Sequence, residues 1–587
     1  MLRIPNKTLD DNYLLEDFQH DFNYLLDFIK SVDASVSGGG AALNAKDYGI
    51  TGYDSDDDTD KIQEFINLTG ILYFPKGTYN LSKIITIKSN TTIMAHPDAL
   101  FIRKQSSTMF QTEHTETTLN YNGGSNISFL GGKYKHNGNT SGSNVFSLFH
   151  AKDVTFNGVT ILDTVKAHSL DIIGCKNVRV LNCNFRGHII DTSNTYREMI
   201  QIDSAHAKGY PIYSDTSLAV YDGTPCEDIL IQNCIFEKSD SNEAPACAIG
   251  QHTQIAQKSR HKNIVIKNNI LNGVVASSGD YGAGIRLMQM EDVIVADNII
   301  KGFRRGIYAD LSATVAGLDG STVIDGSSTV LTSSHEKTYF VGCKNVNISD
   351  NTIIPATYNE TRPGIWCNIS DSVKNASTTN VPKHRTVKIT GNTIYLPCSL
   401  SSIKSYGIDI ETIDDAYVAD NMIIATGHAN NYGVGIQEYS TNVTIGDNHY
   451  NNIAKDNKII NAKPPGCSNV RIKGKTKLWS GNASTTNTTI TLSKSIDDYD
   501  EILLEIYYLN TCYHTVDFST TTTQSFREFN VSDSTTASEV TFFEMRFKRV
   551  NATTIQILGN KTHLLSSGKF TLDDSGAYIS AVYGIIR

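Results

Sequence analysis

Acidic and histidine residues gather in one stretch of this chain, between residues 197 and 252. The stretch reads REMIQIDSAHAKGY from Arg197, YDGTPCEDILI from Tyr221 and AIGQH from Ala248. A carboxylate beside a histidine supports general acid–base chemistry near neutral pH, because histidine titrates there. The candidates for catalysis are therefore Glu198, Asp203, Asp222 and His252.

A second acid pair competes for the same role. Asp409 and Glu411 lie two residues apart in the segment GIDIE, so on a strand their Cβ atoms would be about 6.5–7 Å apart. Side-chain reach from that spacing covers both the roughly 5–5.5 Å separation of retaining glycosidases and the roughly 6.5–9.5 Å of inverting ones. The stereochemistry stays open, and we favour the first group. His206 would add a second base there, although a loop histidine is more often simply exposed.

A nine-residue sequence repeat indicates the elements that position these residues. We call it the nine-residue phrase, and it reads Asx-apolar-x-apolar-x-x-Asn-x-apolar. Its apolar positions alternate, which indicates a strand that must stack on its neighbours to bury its core. First positions recur at intervals of 24 to 53 residues, and the longest intervals carry insertions at 188–221 and 309–337. We expect the seventh-position asparagines to form a ladder between coils. The copies begin at Asn126, Asp153, Asn177, Asp228, Asn263, Asp292, Asn345, Thr386, Asp415 and Asn442.

A second strand lies between the copies of the phrase and reads MIQID, GIRLM, GIYAD, GIWCN, GIDIE and GIQEY. Its second and fourth residues should face the core, so its third and fifth should face solvent in one column. Aromatic faces, carboxylates and amides in such a column suit a carbohydrate chain. Arg286 is the clear cation in it, and Gln437 and Tyr439 would close it. The candidates for substrate binding are Gln201, Arg286, Tyr308, Asp310, Trp366, Asp409 and Glu411.

Composition narrows the class of partner. The chain has 587 residues and a formal net charge of −10, which argues against nucleic acid. The sequence contains no run of 18 apolar residues, so we expect no membrane insertion. We expect no metal and no cofactor, because no Cys/His pattern of zinc-ligand spacing is present. The start lacks the pattern of a signal peptide, so we expect release by host lysis.

The two ends of the chain differ from the repeats. Apolar residues between Leu14 and Ile29 follow near-heptad spacing and predict an N-terminal helical neck or attachment segment over 1–40, in a homotrimer. The repeats and their lead-in occupy 41–465. Thr-rich alternation over 466–587 predicts a C-terminal β-sandwich for trimerisation or receptor binding.

An acidic turn opens the repeat region, and its sequence resembles a known family. Asp56-Asp57-Asp58-Thr59 predicts a solvated turn and helix N-cap, followed by a strand and the turn Pro75-Lys76-Gly77-Thr78-Tyr79. This order, with the repeats, resembles the pectate-lyase-like superfamily of phage tailspikes and cell-surface enzymes. The resemblance implies an all-β fold, a right-handed parallel β-helix with a short N-terminal helix and a C-terminal β-sandwich domain.

The resemblance also bears on function. The stretch 197–252 resembles a signature of surface-associated β-helix proteins of Gram-positive bacteria and their phages, and the C-terminal part is similar to modules of phage tail proteins. Together these resemblances imply a virion tail protein that attaches to the tail or baseplate through its N-terminus. Such a protein would bind and depolymerise a bacterial surface glycan by glycosidic hydrolysis. Teichoic acid phosphodiester cleavage, a polysaccharide lyase and a non-catalytic glycan-binding adhesin are the alternatives.

Overall fold

The computed structural model describes residues 42–587 with internal gaps. The helical neck expected over 1–40, His252 and the end of the repeat region at 462–466 lie outside the described residues. The gaps are 137–141, 191–196, 208–214, 252, 256–258, 277–281, 312–313, 320, 326–341, 357–361, 370–380, 398–403, 427–429, 455–457, 462–466, 509, 517, 519–522, 532–538, 567–568, 575–576 and 587.

Parallel strands stacked coil upon coil build the body of the molecule, a right-handed parallel β-helix as expected. One sheet of 24 described strands covers two of its faces, because the long strands Thr91–Arg103 and Ser125–His136 run through both of its ladders. Its strands are Leu43–Asn44, Gly70–Phe74, Gly77–Leu81, Thr91–Arg103, Ser125–His136, Lys152–Asn157, Thr160–Val165, Lys176–Leu181, Asn184–Ile189, Glu227–Gln232, Ile235–Glu237, His261–Lys267, Ile270–Asn272, Met290–Ala296, Ile299–Lys301, Lys344–Ser349, Thr352–Ile354, His384–Thr390, Thr393–Leu396, Ile413–Ala419, Met422–Ala425, Thr441–Ile445, His449–Asn451 and Ser468–Ile472.

A second parallel sheet of 12 described strands forms the third face and contains the Gly-Ile strands. We call it the site sheet. Its strands are Ile85–Ile87, Phe110–Thr112, Phe146–Phe149, Leu170–Ile173, Ile200–Asp203, Ile249–Gly250, Ala283–Leu287, Arg305–Ala309, Ile365–Cys367, Ser405–Ile410, Asn431–Ile436 and Ile459–Asn461.

Backbone conformation explains why Asn or Asp occupies the first position of the nine-residue phrase. Asn177, Asp228 and Asn345 there have φ of 52°, 58° and 52°, a left-handed conformation that Asn and Asp tolerate better than most residues. At the seventh position the predicted ladder is confirmed. The side-chain carbonyl of Asn351 accepts hydrogen bonds from the backbone and side-chain amides of Asn298, at 3.0 and 2.9 Å. The ladder comprises Asn269, Asn298, Asn351, Asn392, Asn421 and Asn448.

The glycine that opens the Gly-Ile strands is required by close packing at a corner. A Cβ on Gly364 would lie 1.9 Å from the carbonyl oxygen of Gly407 in the next coil, and one on Gly306 would lie 2.4 Å from the Ile353 side chain. No larger residue fits at those separations. Beyond the glycine, the second and fourth residues, such as Ile408 and Ile410, are buried in the core as predicted.

A small third sheet joins the insertion 309–337 to an earlier coil. It consists of Gln254–Ile255 and of two strands within that insertion, Thr314–Ala316 and Thr322–Asp325. The Ala207 backbone amide donates to the Leu318 carbonyl at 2.9 Å, which joins two insertions distant in sequence.

The chain ends in the expected β-sandwich, two antiparallel sheets around a shared apolar core. One sheet holds Gly474–Ala483, Glu501–Tyr508, Asn510–Val516 and Tyr578–Ile586, and the other holds Thr489–Thr491, Thr523–Val531, Glu539–Asn551, Thr554–Ser566 and Lys569–Asp574. The described helices are the α-helix Thr59–Ile66 and the 3₁₀ helices Ala45–Tyr48 and Ile496–Asp498. None of these is long and apolar enough to cross a membrane.

The acidic turn before the α-helix differs from the prediction. Asp58 occupies the N-cap position but makes no side-chain capping bond, and it is buried rather than solvated. Asp57 accepts the Thr59 backbone amide instead, at 3.0 Å. The strand at Asn80 holds the Asp58 backbone, which turns its side chain inward.

Candidate functional site

The third positions of the site sheet stack in register, as the Gly-Ile pattern predicts. We call this row the outward column. It runs through Ser147, Asp171, Gln201, Gly250, Arg286, Tyr308, Trp366, Asp409 and Gly435. The expectation that these positions face solvent is wrong in extent, because Gln201 and Asp409 are only 2% and 0% exposed. Their side chains point away from the core but lie beneath other parts of the chain.

Asp203 lies two residues beyond Gln201 on the same strand, and several hydrogen-bond donors converge on its carboxylate. One oxygen accepts the Gln201 amide at 2.6 Å, and the other accepts the Ser204 backbone amide at 2.8 Å. The Gln251 amide donates at 3.2 Å, and the Nε2 atom of His206 lies 3.0 Å away. Donors converging on a carboxylate favour its ionised form. Asp203 is thus arranged to hold a negative charge.

Asp171 lies on the neighbouring strand, and its surroundings have the opposite effect. Burial, followed by the charge of Asp203, raises the pKa of the Asp171 carboxyl well above its usual range. One of its oxygens accepts the Asn144 amide at 2.9 Å, while Oδ1 is buried with no hydrogen-bond partner among the described residues. Of the two aspartates, Asp171 is therefore the one whose surroundings favour the protonated form. Asp171, Glu198 and Asp203 together are called the acid cluster.

Glu198 and His206 complete this region. Glu198 is fully buried, and its charge contributes to the raised pKa of Asp171, so the two carboxyl groups are close. His206 is also fully buried and pairs with Asp203, so the expectation that it is exposed is wrong. The insertion that carries it folds back over the strand that ends at Asp203.

Asp222 directly follows the same insertion, but its carboxylate bonds to other residues. Its carboxylate accepts the Asn120 backbone amide at 2.8 Å and the Thr224 hydroxyl at 2.7 Å, and it lies 3.6 Å from His150. These hydrogen bonds outweigh burial and lower the pKa of Asp222. Among the described residues, none of its bonds reaches Asp203 or Glu198. The structure thus brings together Glu198 and Asp203, but not Asp222.

Farther along the column, Arg286, Tyr308 and Asp310 interact in one buried group. Arg286 forms a short ion pair with Asp310, and the Tyr308 hydroxyl donates to the other Asp310 oxygen at 2.8 Å. Burial opposes the charge on Arg286, but Asp310 keeps the pKa of the guanidinium above its ordinary value. These three predicted binding residues therefore mostly satisfy one another.

The Trp366 end is more open and combines aromatic, acidic and basic groups. Trp366 stacks on Tyr308 with ring centroids 4.5 Å apart. Arg362, whose side chain is 29% exposed, lies over Trp366 at 4.8 Å and pairs with Asp409 at 2.7 Å. The Trp366 indole donates to Glu411 at 3.4 Å. Arg362, Trp366, Asp409 and Glu411 are called the tryptophan cluster.

Two expectations about the column need correction. Gln437 does not continue the third-position row, because Gly435 pairs with Asp409 and Ile436 with Ile410, which sets Gln437 opposite Glu411 in the fifth-position row. The motif GIQEY is thus read two residues out of register. Arg286 is also not the sole cation, since Arg305 lies 5.4 Å from the Trp366 ring and Arg362 lies closer.

Three residues of the site escaped prediction, and two of them left a signal. Asp171 lies in SLDII, whose spacing matches MIQID one coil earlier. Arg305 directly precedes the Gly-Ile of its strand, so it lies at the corner that the glycine of the Gly-Ile strands occupies. Arg362 stands two residues before Gly364, outside the described strands, and nothing in its spacing indicated contact with Asp409.

Access to the acid cluster is governed by the insertions. The Ala205 amide donates to the Thr224 carbonyl, and the Gly223 amide donates back to Ala205, both at 2.9 Å. This pairing lies next to Asp203, which is 0% exposed. A polymer would reach the acid cluster only after these segments move. Across the described ranges, no group of three or more His, Cys, Asp or Glu side chains is arranged to hold a metal ion.

Part of this chain is similar in sequence to known proteins. Residues 42–216 match the family model described as rhamnogalacturonase A/epimerase, pectate lyase-like. Plasmin and fibronectin-binding protein A of Streptococcus pneumoniae is 30% identical over 291 residues, 44% of this chain and 39% of that protein. The match thus spans well under half of the curated relative.

Solved structures add the fold. A crystal structure of PfbA, a surface adhesin of Streptococcus pneumoniae, aligns with a TM-score of 0.54 at 22% identity, over 82% of this chain and 99% of that one. A second PfbA structure gives 0.52 at 23% identity, over 74% and 100%. Residues 42–216 thus match a pectate-lyase-like family model, and the two solved structures share the fold of this chain.

Proposed function

We propose that this chain binds and depolymerises a bacterial cell-surface polysaccharide by hydrolysing glycosidic bonds. The observation that carries the proposal is the pair Asp171 and Asp203, neighbouring carboxyl groups whose surroundings favour opposite protonation states. Two carboxyl groups with separated proton affinities can act as the acid and the base or nucleophile of a glycosidase.

Each group has a defined task in this reaction. Asp171 donates its proton to the leaving glycosidic oxygen, which breaks the C–O bond without releasing an alkoxide. Asp203, ionised, either takes a proton from the attacking water or bonds the anomeric carbon, and water then hydrolyses that intermediate. His206 pairs with Asp203 at 3.0 Å, and Glu198 lies close to Asp171. Of the two predicted catalytic residues in the acid cluster, Asp203 thus has a direct task and Glu198 neighbours the acid.

The tryptophan cluster would bind a part of the polymer that is distant from the reacting bond. Aromatic faces pack against the C–H surfaces of sugars, and Trp366 is partly exposed for this. Arg362 and Glu411 offer a donor and acceptors beside the ring.

The biological setting belongs to the same proposal. We place the chain in the tail of a phage of a Gram-positive host, as a homotrimer attached through its N-terminus. The resemblance of the β-helix and sandwich to phage tail proteins supports this placement.

The test separates the two acid sites. Asp203→Asn, Asp409→Asn and Asp222→Asn variants are incubated with walls and capsular polymers of Gram-positive bacteria, and new reducing ends are measured. Loss of product with Asp203→Asn, but not with the other two, is expected. Loss with Asp409→Asn alone moves the chemistry to the tryptophan cluster, and no product from the parent on any polymer refutes the enzyme.

Arginines give the lyase alternative some support. Arg286 lies in the outward column, and Arg305 and Arg362 lie 5.4 and 4.8 Å from the Trp366 ring. An elimination needs such a cation to neutralise the uronate carboxylate. Absorbance at 235 nm in the same incubations detects its unsaturated product. Released phosphate would indicate teichoic acid cleavage instead.

A non-catalytic glycan-binding adhesin is the second candidate. The burial of the acid cluster favours it, as does the description of PfbA as a surface adhesin. An adhesin would bind the polymer and leave its length unchanged in all incubations.

A further inference from the structure

We propose that one face of the C-terminal sandwich is a second glycan-binding surface, separate from the β-helix. It is formed by Lys477, Glu505, Tyr507, Tyr578, Ser580 and Tyr583, which we call the tyrosine face. These residues lie on three adjacent strands of one sheet, with Tyr507 paired to Tyr578 and Lys477 paired to Tyr583.

Alternation directs this face outward. Ile502, Leu504 and Ile506 enter the sandwich core, so Glu505 and Tyr507 between and beyond them point the other way. Tyr507 is 42% exposed and stacks on Tyr578 with centroids 5.2 Å apart and planes inclined by 27°. The stacked rings provide an exposed aromatic surface for the C–H face of a sugar.

Polar groups are held in fixed positions beside the rings. Glu505 accepts hydrogen bonds from the Ser580 hydroxyl at 2.7 Å and from the Tyr583 hydroxyl at 3.0 Å. Lys477 lies over the Tyr583 ring at 5.5 Å. A fixed carboxylate and an ammonium beside an aromatic platform provide an acceptor and a donor for sugar hydroxyls.

The same composition disfavours a subunit interface as the occupant. Interface centres are depleted of Lys and Glu, whereas Glu505 lies between the tyrosines and Lys477 beside Tyr583. A glycan tolerates such groups, because its hydroxyls pair with them.

The experiment uses the full chain with Asp203→Asn, so that cleavage does not release it. This parent and a Tyr507→Ala/Tyr578→Ala derivative are sedimented with Gram-positive cell-wall sacculi that retain their wall polymers. We expect the double substitution to weaken binding about tenfold. Phe542→Ala is the matched control, because Phe542 is also 42% exposed but belongs to the other sheet, and its binding should equal the parent's.

Three results would overturn the inference. The parent fails to sediment with the sacculi, or the double variant sediments as well as the parent, or light scattering shows that the double variant has changed oligomeric state. Correct folding is checked by circular dichroism. With Asp203 intact, cleavage of soluble oligosaccharides should be the same with and without the tyrosines, which separates this surface from the proposed enzyme.

Discussion

Asp171 and Asp203 occupy neighbouring strands, yet their environments differ. Four donor groups surround Asp203, whereas one oxygen of Asp171 is buried without a hydrogen-bond partner among the described residues. The sequence shows both as aspartates and gives no means of telling them apart. Only their neighbours assign the acid and the base.

The Asp171→Asn substitution tests the acid role. A general acid works while protonated, so the parent's activity should fall as pH rises through the raised pKa of Asp171. The variant should lose about 10²–10⁴-fold in kcat and lack that alkaline limb. The pH–rate profile is the measurement. The control variant Asp222→Asn should keep the parent's kcat and its alkaline limb. An unchanged alkaline limb in Asp171→Asn would contradict the assignment.

Asp58 makes a pH-dependent contribution to stability. Burial, then the charge of Asp56, raises its pKa from 3.8 to about 6. Between these values the folded chain retains a proton that the unfolded chain has lost, so stability falls as pH rises. Asp58→Asn should therefore raise Tm at pH 7.5 and change it little at pH 3.5, as measured by calorimetry.

Asp57 provides the control of opposite sign. Burial works against its charge, but hydrogen bonds from Ser82 and Thr59 lower its pKa. Asp57→Asn should thus lower Tm at pH 7.5. Equal shifts for the two variants would show that burial of Asp58 is not the cause.

At the scale of elements, the asparagine ladder ties the coils together. Asn351 donates to Asn392 and to the Val295 carbonyl, and accepts from Asn298. Its loss leaves buried amide and carbonyl groups without partners. Asn351→Ala should therefore destabilise the chain by about 1–3 kcal/mol per unsatisfied group.

The ladder also supplies its own control. Asn448, the last ladder residue named above, accepts from Asn421 but is only partly buried, so water can replace its bonds. Asn448→Ala should lower Tm less than Asn351→Ala in thermal unfolding. A larger loss at Asn448 would mean that burial does not set the ladder's contribution.

At the scale of the whole molecule, the acid cluster and the tryptophan cluster lie on one column. Six strands, from Ile200–Asp203 to Ser405–Ile410, are joined by five pairings. At about 4.8 Å per pairing, the strands of Asp203 and Asp409 are about 24 Å apart. An extended polymer chain of that length would span both clusters.

This separation predicts that substrate length matters. Trp366 lies four pairings, about 19 Å, from the Asp203 strand. Trp366→Ala should therefore raise KM for oligosaccharides longer than about 19 Å and leave KM for shorter ones unchanged, with kcat retained for both. Steady-state kinetics on a size-fractionated series provide the measurement. An equal rise in KM for all lengths would place Trp366 beside the reacting bond.

Local patterns determined much of this protein. Alternating apolar residues, left-handed Asx positions and ladder asparagines act within one coil or between adjacent coils, so the sequence alone predicted the β-helix, the site sheet and the outward column. Asp203, Trp366 and Asp409 were placed on the site sheet for the same reason, because their spacing follows the coil.

Tertiary structure decided the rest, since it depends on contacts that have no period. The insertions bury the column, turn Asp222 toward His150 and bring His206 onto Asp203. They meet through single contacts between distant segments, such as Ala207 with Leu318. The raised pKa of Asp171 likewise follows first from burial and then from the charge of Asp203, and residue spacing encodes neither.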